Sequence, residues 1–118
     1  MKFLKIYAAF LGFSSVILGA FGAHYLKKIL QEAHFQSFET AVKYQMYMAL
    51  ALLWFTHSNT YSQNIARLWA FGVTLFSGSI YGLIFLEWKF LGPITPFGGF
   101  CIILGWFLLI LKFLSKQS

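Results

Sequence analysis

Four apolar runs, near residues 3–23, 41–57, 65–86 and 97–114, fill almost all of this 118-residue chain and are separated only by short polar turns. About 20 apolar residues rising 1.5 Å each span a hydrocarbon core of roughly 30 Å, and the runs approach or meet that length once their flanks are counted. Backbone groups in hydrocarbon must be satisfied internally, which helices do unaided. A transmembrane barrel needs alternating segments of about ten residues, and residues 49–55 or 100–111 show no alternation. Only 10% of residues are charged and 59% are hydrophobic, whereas a soluble domain carries about 25% charged residues. The pattern predicts an all-α integral membrane four-helix bundle, one domain over residues 1–118 with spans near 3–23, 38–57, 65–87 and 97–115.

The formal charge of +6 does not form a basic groove. Lys2 and Lys5 precede the first run, Arg67 opens the third, and Lys112 and Lys116 close the fourth, where long basic side chains snorkel to the interface. Nucleic acid is therefore excluded as a partner, and membrane lipid is expected as one. With both termini inside, five Lys and Arg residues are cytoplasmic, and Lys27, Lys28, Lys43 and Lys89 face the other side. That split gives only a slight preference for cytoplasmic termini. The first run exceeds the 7–15 apolar residues of a signal peptide, so it is read as a true span.

Small residues recur at helical steps, which marks faces where two membrane helices approach closely. Ala8, Gly12, Ser15, Gly19 and Gly22 form such a stripe in the first run; Gly72, Ser79 and Gly82 form one in the third, with Gly98 and Gly105 in the fourth. These faces are expected to meet inside the bundle, with large residues such as Phe10, Phe13 and Phe71 outside. Trp54, Trp69, Trp88 and Trp106 lie mostly toward span ends, as in an interfacial belt. Over residues 25–37, Leu26, Ile29, Leu30 and Ala33 recur at helical spacing among charged residues. That pattern predicts a short amphipathic interfacial helix between spans one and two, with Ser37 capping the second span.

Few side chains here could carry chemistry. Glu39 and Lys43, four residues apart on a helix, share a face and can pair, and ionisable groups near membrane depth are candidates for solute or proton passage. His24, Glu39, Lys43, Tyr44 and Gln45 make up the candidate polar site, and a His24–Glu39 bond would form a pH-sensitive latch. His24, His34, Met46, Met48, His57 and Cys101 lack metal-ligand spacing, so no metal or cofactor is expected. Cys101, the one cysteine, reads as a small hydrophobe. Ser77, Ser79 and Thr95 lack an adjacent base and carboxylate, and no catalytic residue is assigned.

Four strings appear in order along the chain: Gly19-Ala20-Phe21-Gly22-Ala23-His24; Phe38-Glu39-Thr40-Ala41 with Tyr44-Gln45-Met46-Tyr47; Phe76-Ser77-Gly78-Ser79-Ile80-Tyr81; and Ile94-Thr95-Pro96-Phe97-Gly98-Gly99. Together they resemble the domain of unknown function 423 family, short four-span proteins of bacterial inner membranes with transmembrane protein 256-like relatives. The resemblance covers nearly the full chain and implies a four-helix membrane protein in the bacterial inner membrane, with no catalytic residue to carry over. One departure is Met48, where the family pattern has His after Tyr-Gln-Met-Tyr. The expected role is structural or accessory, acting through helix packing with itself as a homo-oligomer, with a larger membrane complex or with lipid. The alternative is a small oligomeric transporter or proton-coupled carrier built around Glu39.

Overall fold

The structure, a computed structural model, describes residues 2–117 and the side chains up to Ser115; the Lys116 side chain, expected at the end of the last run, lies outside the described ones. The described residues are helical with no strand. Helix α1 (Lys2–Ile17) passes through a π-helical turn (Leu18–Gly22) into α2 (Ala23–Leu26), making one rod. Helices α3 (Glu32–Thr56), α4 (Gln63–Phe85) and α5 (Ile94–Gln117) follow, with a 3₁₀ turn (Lys89–Leu91) before α5. The Lys2–Leu26 rod, α4 and the Lys89–Ser115 stretch are long and apolar enough to cross a membrane. Helix α3 has 25 residues, about 38 Å at 1.5 Å each, but it carries Glu32, His34, Glu39, Lys43 and Gln45.

No separate amphipathic helix forms between the first two runs. Residues 25–37 divide instead between the end of α2, a turn closed by Leu30 N–H on the Leu26 carbonyl at 2.9 Å, and the first turns of α3. Extending an existing helix fixes one residue per new hydrogen bond, whereas a separate short helix needs its own unfavourable nucleus. Helix α3 therefore starts at Glu32 behind an extended Gln31, and Ser37 is an interior helical residue with no capping role. Helix α5 likewise starts at Ile94, upstream of the expected position, because Pro96 falls in its first turn, where a missing N–H is harmless.

Each long helix packs antiparallel on the next, α1 on α3, α3 on α4 and α4 on α5, with a slight α1–α4 contact. Among the described residues, neither α1 nor α3 packs its backbone closely on α5. The result is a folded layer, 53 × 27 × 21 Å, more open than a closed four-helix bundle. Its dense end holds Leu4, Met48, Leu52, Phe55, Ile65, Trp69, Val73 and Leu109. Trp69 is fully buried between Phe55 and Trp106, with ring centroids 5.3 and 4.5 Å away, so it is a core anchor rather than part of an interfacial belt. Trp54, Trp88 and Trp106 are exposed, as are Phe10, Phe13 and Phe71.

The small-residue stripes do meet within the chain, with unequal tightness. A Cβ on Gly98 would stand 2.7 Å from the Gly72 carbonyl oxygen, and one on Gly72 would stand 2.9 Å from the Gly98 carbonyl oxygen, so the α4 and α5 backbones touch. Trp69 fills the space at Gly105, and Leu91 fills that at Gly82. The α1–α3 contact is looser: Gly12 faces Ala49, Gly19 faces Val42 and Gly22 faces Phe38, all at 3.4 Å or more.

Candidate functional site

Polar side chains inside an apolar bundle need partners. Gln45, Ser14, Ser77 and Tyr81 of α1, α3 and α4 find them across helices, Ser15 and Thr56 bond within their own helix, and the buried Trp69 indole nitrogen has none among the described residues. Gln45 lies near the middle of α3 and is 5% exposed. Its amide nitrogen donates to the Leu11 carbonyl at 3.1 Å and to the Ser14 hydroxyl at 2.7 Å, both on α1. Its amide oxygen accepts from the Tyr81 hydroxyl of α4 at 2.7 Å. The Leu11 carbonyl can only accept, which fixes the orientation of the amide. One helical turn along α3, the Ala41 carbonyl accepts from Ser77 of α4 at 2.8 Å.

Other helix pairs are tied in the same way. The Tyr7 and Thr74 hydroxyls bond α1 to α4, and those of Ser79 and Thr95 bond α4 to α5. Lys112 of α5 donates to the Tyr61 carbonyl at 3.3 Å in the turn between α3 and α4. Both hydrogens of the Gln45 amide are in use, and among the described residues no carboxylate or amine bonds to it.

The residues assigned to a polar site by sequence are therefore separated. Gln45 points inward to the network, while Tyr44 is half-exposed on another face of α3, against Phe76 and Tyr47. Glu39, Lys43 and His24 are exposed. Glu39 forms no ion pair with Lys43 and no bond with His24 among the described residues. Glu39 and Lys43 do line a small cleft of about 160 Å³ with Gly19 and Ala23. Ser14, Tyr7, Thr74 and Tyr81 were missed as site residues, although a hydroxyl within an apolar run is itself a signal that a partner helix supplies a bond. Cys101 is buried at 7% exposure.

The family described as "Protein of unknown function (DUF423)" matches residues 18–99 of the chain. A UPF0382 membrane protein of Staphylococcus haemolyticus is 42% identical over 118 residues, 95% of each chain. The chain belongs to the DUF423 family. A UPF0382 membrane protein of Haemophilus influenzae is 38% identical over 89% of this chain and 87% of its own. The UPF0382 inner membrane protein YgdD of Escherichia coli K12 is 35% identical over 92% of this chain and 87% of its own. No solved structure matches. The DUF423 match begins at the π-helical turn and encloses Gln45, Ser77, Tyr81 and Thr95, whereas Tyr7 and Ser14 precede it.

Proposed function

We propose that this DUF423 protein is a four-span protein of the bacterial inner membrane with a structural or accessory role, exercised through helix packing with itself, with a larger membrane complex or with lipid. The observation that carries this reading is the fully used Gln45 amide. The Gln45 amide is consumed in tying α1, α3 and α4 together, which leaves it no free group with which to pass a solute. The inner-membrane name of the Escherichia coli relative supports the location. In this reading α3 is the fourth span, its polar residues tolerated because Gln45 is bonded internally and Glu32 and His34 lie at its end. The reading assigns no catalytic step.

A small oligomeric carrier is the second reading, and the cleft beside Glu39 and Lys43 favours it. Purified protein in proteoliposomes with an internal pH-sensitive dye separates the two. The structural reading expects no proton-dependent flux above protein-free vesicles, together with a homo-oligomer or a stoichiometric partner recovered in lipid nanodiscs. Flux that disappears in Glu39→Gln would overturn it in favour of the carrier.

A further inference from the structure

A second cavity lies apart from the Gln45 network. It is a cleft of about 790 Å³ at the end of the bundle where α3 begins, α4 ends and α5 begins. Clefts of this size hold small molecules. Its mouth carries His34, Glu87 and Lys89, and its inner wall is formed by Ile80, Leu83 and Ile84 of α4. Since the α3 and α5 backbones do not pack closely on each other among the described residues, the cleft is floored by α4 and open sideways between them.

The mouth is a place of uncommon backbone. Glu87 has φ 55°, the one positive φ among the described non-glycine residues. Residues other than Gly, Asn and Asp seldom adopt that region, so a carboxylate stands where helix ends ordinarily take glycine. Neither Glu87 nor Lys89 is bonded to another described side chain. Two opposite charges two residues apart, both exposed and unpaired among the described residues, sit at the rim of an apolar wall that descends about 10 Å from Glu87 to Ile80.

We propose that this cleft binds a phospholipid with a primary-amine headgroup. This rests on the four-span reading, which places the turn between α4 and α5 at the membrane–water boundary. The ammonium donates charge-assisted hydrogen bonds to the Glu87 carboxylate, and the phosphate accepts from Lys89. The acyl chains leave sideways along Ile80, Leu83 and Ile84. A choline headgroup has no N–H to donate, and a headgroup with only negative charge meets Glu87 unfavourably. The charge pair and apolar wall together thus select both the amine and the amphiphile.

Native mass spectrometry of the full-length protein, titrated with phosphatidylethanolamine, phosphatidylcholine and phosphatidylglycerol of identical acyl chains, tests this. Phosphatidylethanolamine is expected to be retained at about tenfold lower concentration than the other two. Glu87→Gln should erase the difference from phosphatidylcholine, and Lys89→Gln should weaken both. Glu87→Gly, which relieves the backbone, should lose the preference while keeping full helicity, which separates lost recognition from lost folding. Equal retention of the three lipids, an undiminished preference in Glu87→Gln, or equal competition by tailless glycerophosphoethanolamine would overturn the proposal. A missing preference in a protein whose α3 crosses the membrane ends the lipid proposal alone; an α3 that does not cross removes the reading beneath it.

Discussion

Gly98→Leu will be the most damaging single substitution among the packing glycines. A first side-chain carbon at position 98 would lie 2.5 Å from the Phe76 backbone nitrogen, 2.7 Å from the Gly72 carbonyl oxygen and 2.9 Å from the Leu75 Cβ, so it meets backbone that cannot rotate away. Overpacking of this kind costs about 3 kcal/mol, and here the helices can respond only by separating. Because α5 packs its backbone closely on no other long helix among the described residues, separation from α4 would leave it docked chiefly through the Lys112–Tyr61 contact. Loss of helicity in dodecyl sulfate mixed micelles, followed by circular dichroism, should shift to a much lower sulfate fraction. Gly78→Ala is the matched control, because a Cβ there meets nothing within 4 Å, and its midpoint should stay within error. A wild-type midpoint for Gly98→Leu would mean that α4 and α5 do not touch as described.

Gln45→Leu is expected to produce the second-largest effect. The substitution removes three interhelical bonds at once and leaves the Tyr81 hydroxyl without its acceptor in an apolar setting. Hydrogen bonds between membrane helices average about 0.6 kcal/mol and reach about 1.7, so the sum falls near 2 kcal/mol. Tyr81→Phe alone should lose about 0.6 kcal/mol, and the double variant should be no worse than Gln45→Leu, since the two side chains share one bond. The same micelle titration checks the cycle, and strict additivity would show that Gln45 and Tyr81 are not bonded.

The sequence made the helices legible because each run is apolar along its length and each break contains turn residues. It made the close approaches legible too, since Gly72 and Gly98 lie on small-residue faces and do meet. Three features escaped it for physical reasons. The pattern at Leu26, Ile29, Leu30 and Ala33 describes one helical stripe, and helical spacing alone cannot reveal that the chain reverses after Leu30, so that α2 and α3 absorb the two halves. Trp69 sits near a span end, as belt tryptophans do, and only the facing Gly105 shows that the ring turns into the core. At the polar site, charge drew attention to Glu39, Lys43 and His24, but charged groups can point outward to headgroups, whereas an uncharged amide in hydrocarbon has to be bonded. That rule favoured Gln45 over its charged neighbours. The partners Ser14 and Tyr81 depend on helix rotation, which one sequence does not encode locally.

The central claim is that α3 crosses the membrane despite its charged residues, giving four spans around the Gln45 layer. Single cysteines at Lys28, Ser58 and Pro93, each introduced into a Cys101→Ser background, test it with a membrane-impermeant maleimide on intact and permeabilised cells. The account predicts that Lys28→Cys and Pro93→Cys are labelled from outside intact cells and Ser58→Cys only after permeabilisation. Labelling of Lys28→Cys and Ser58→Cys from the same side would contradict it, because α3 would then not cross.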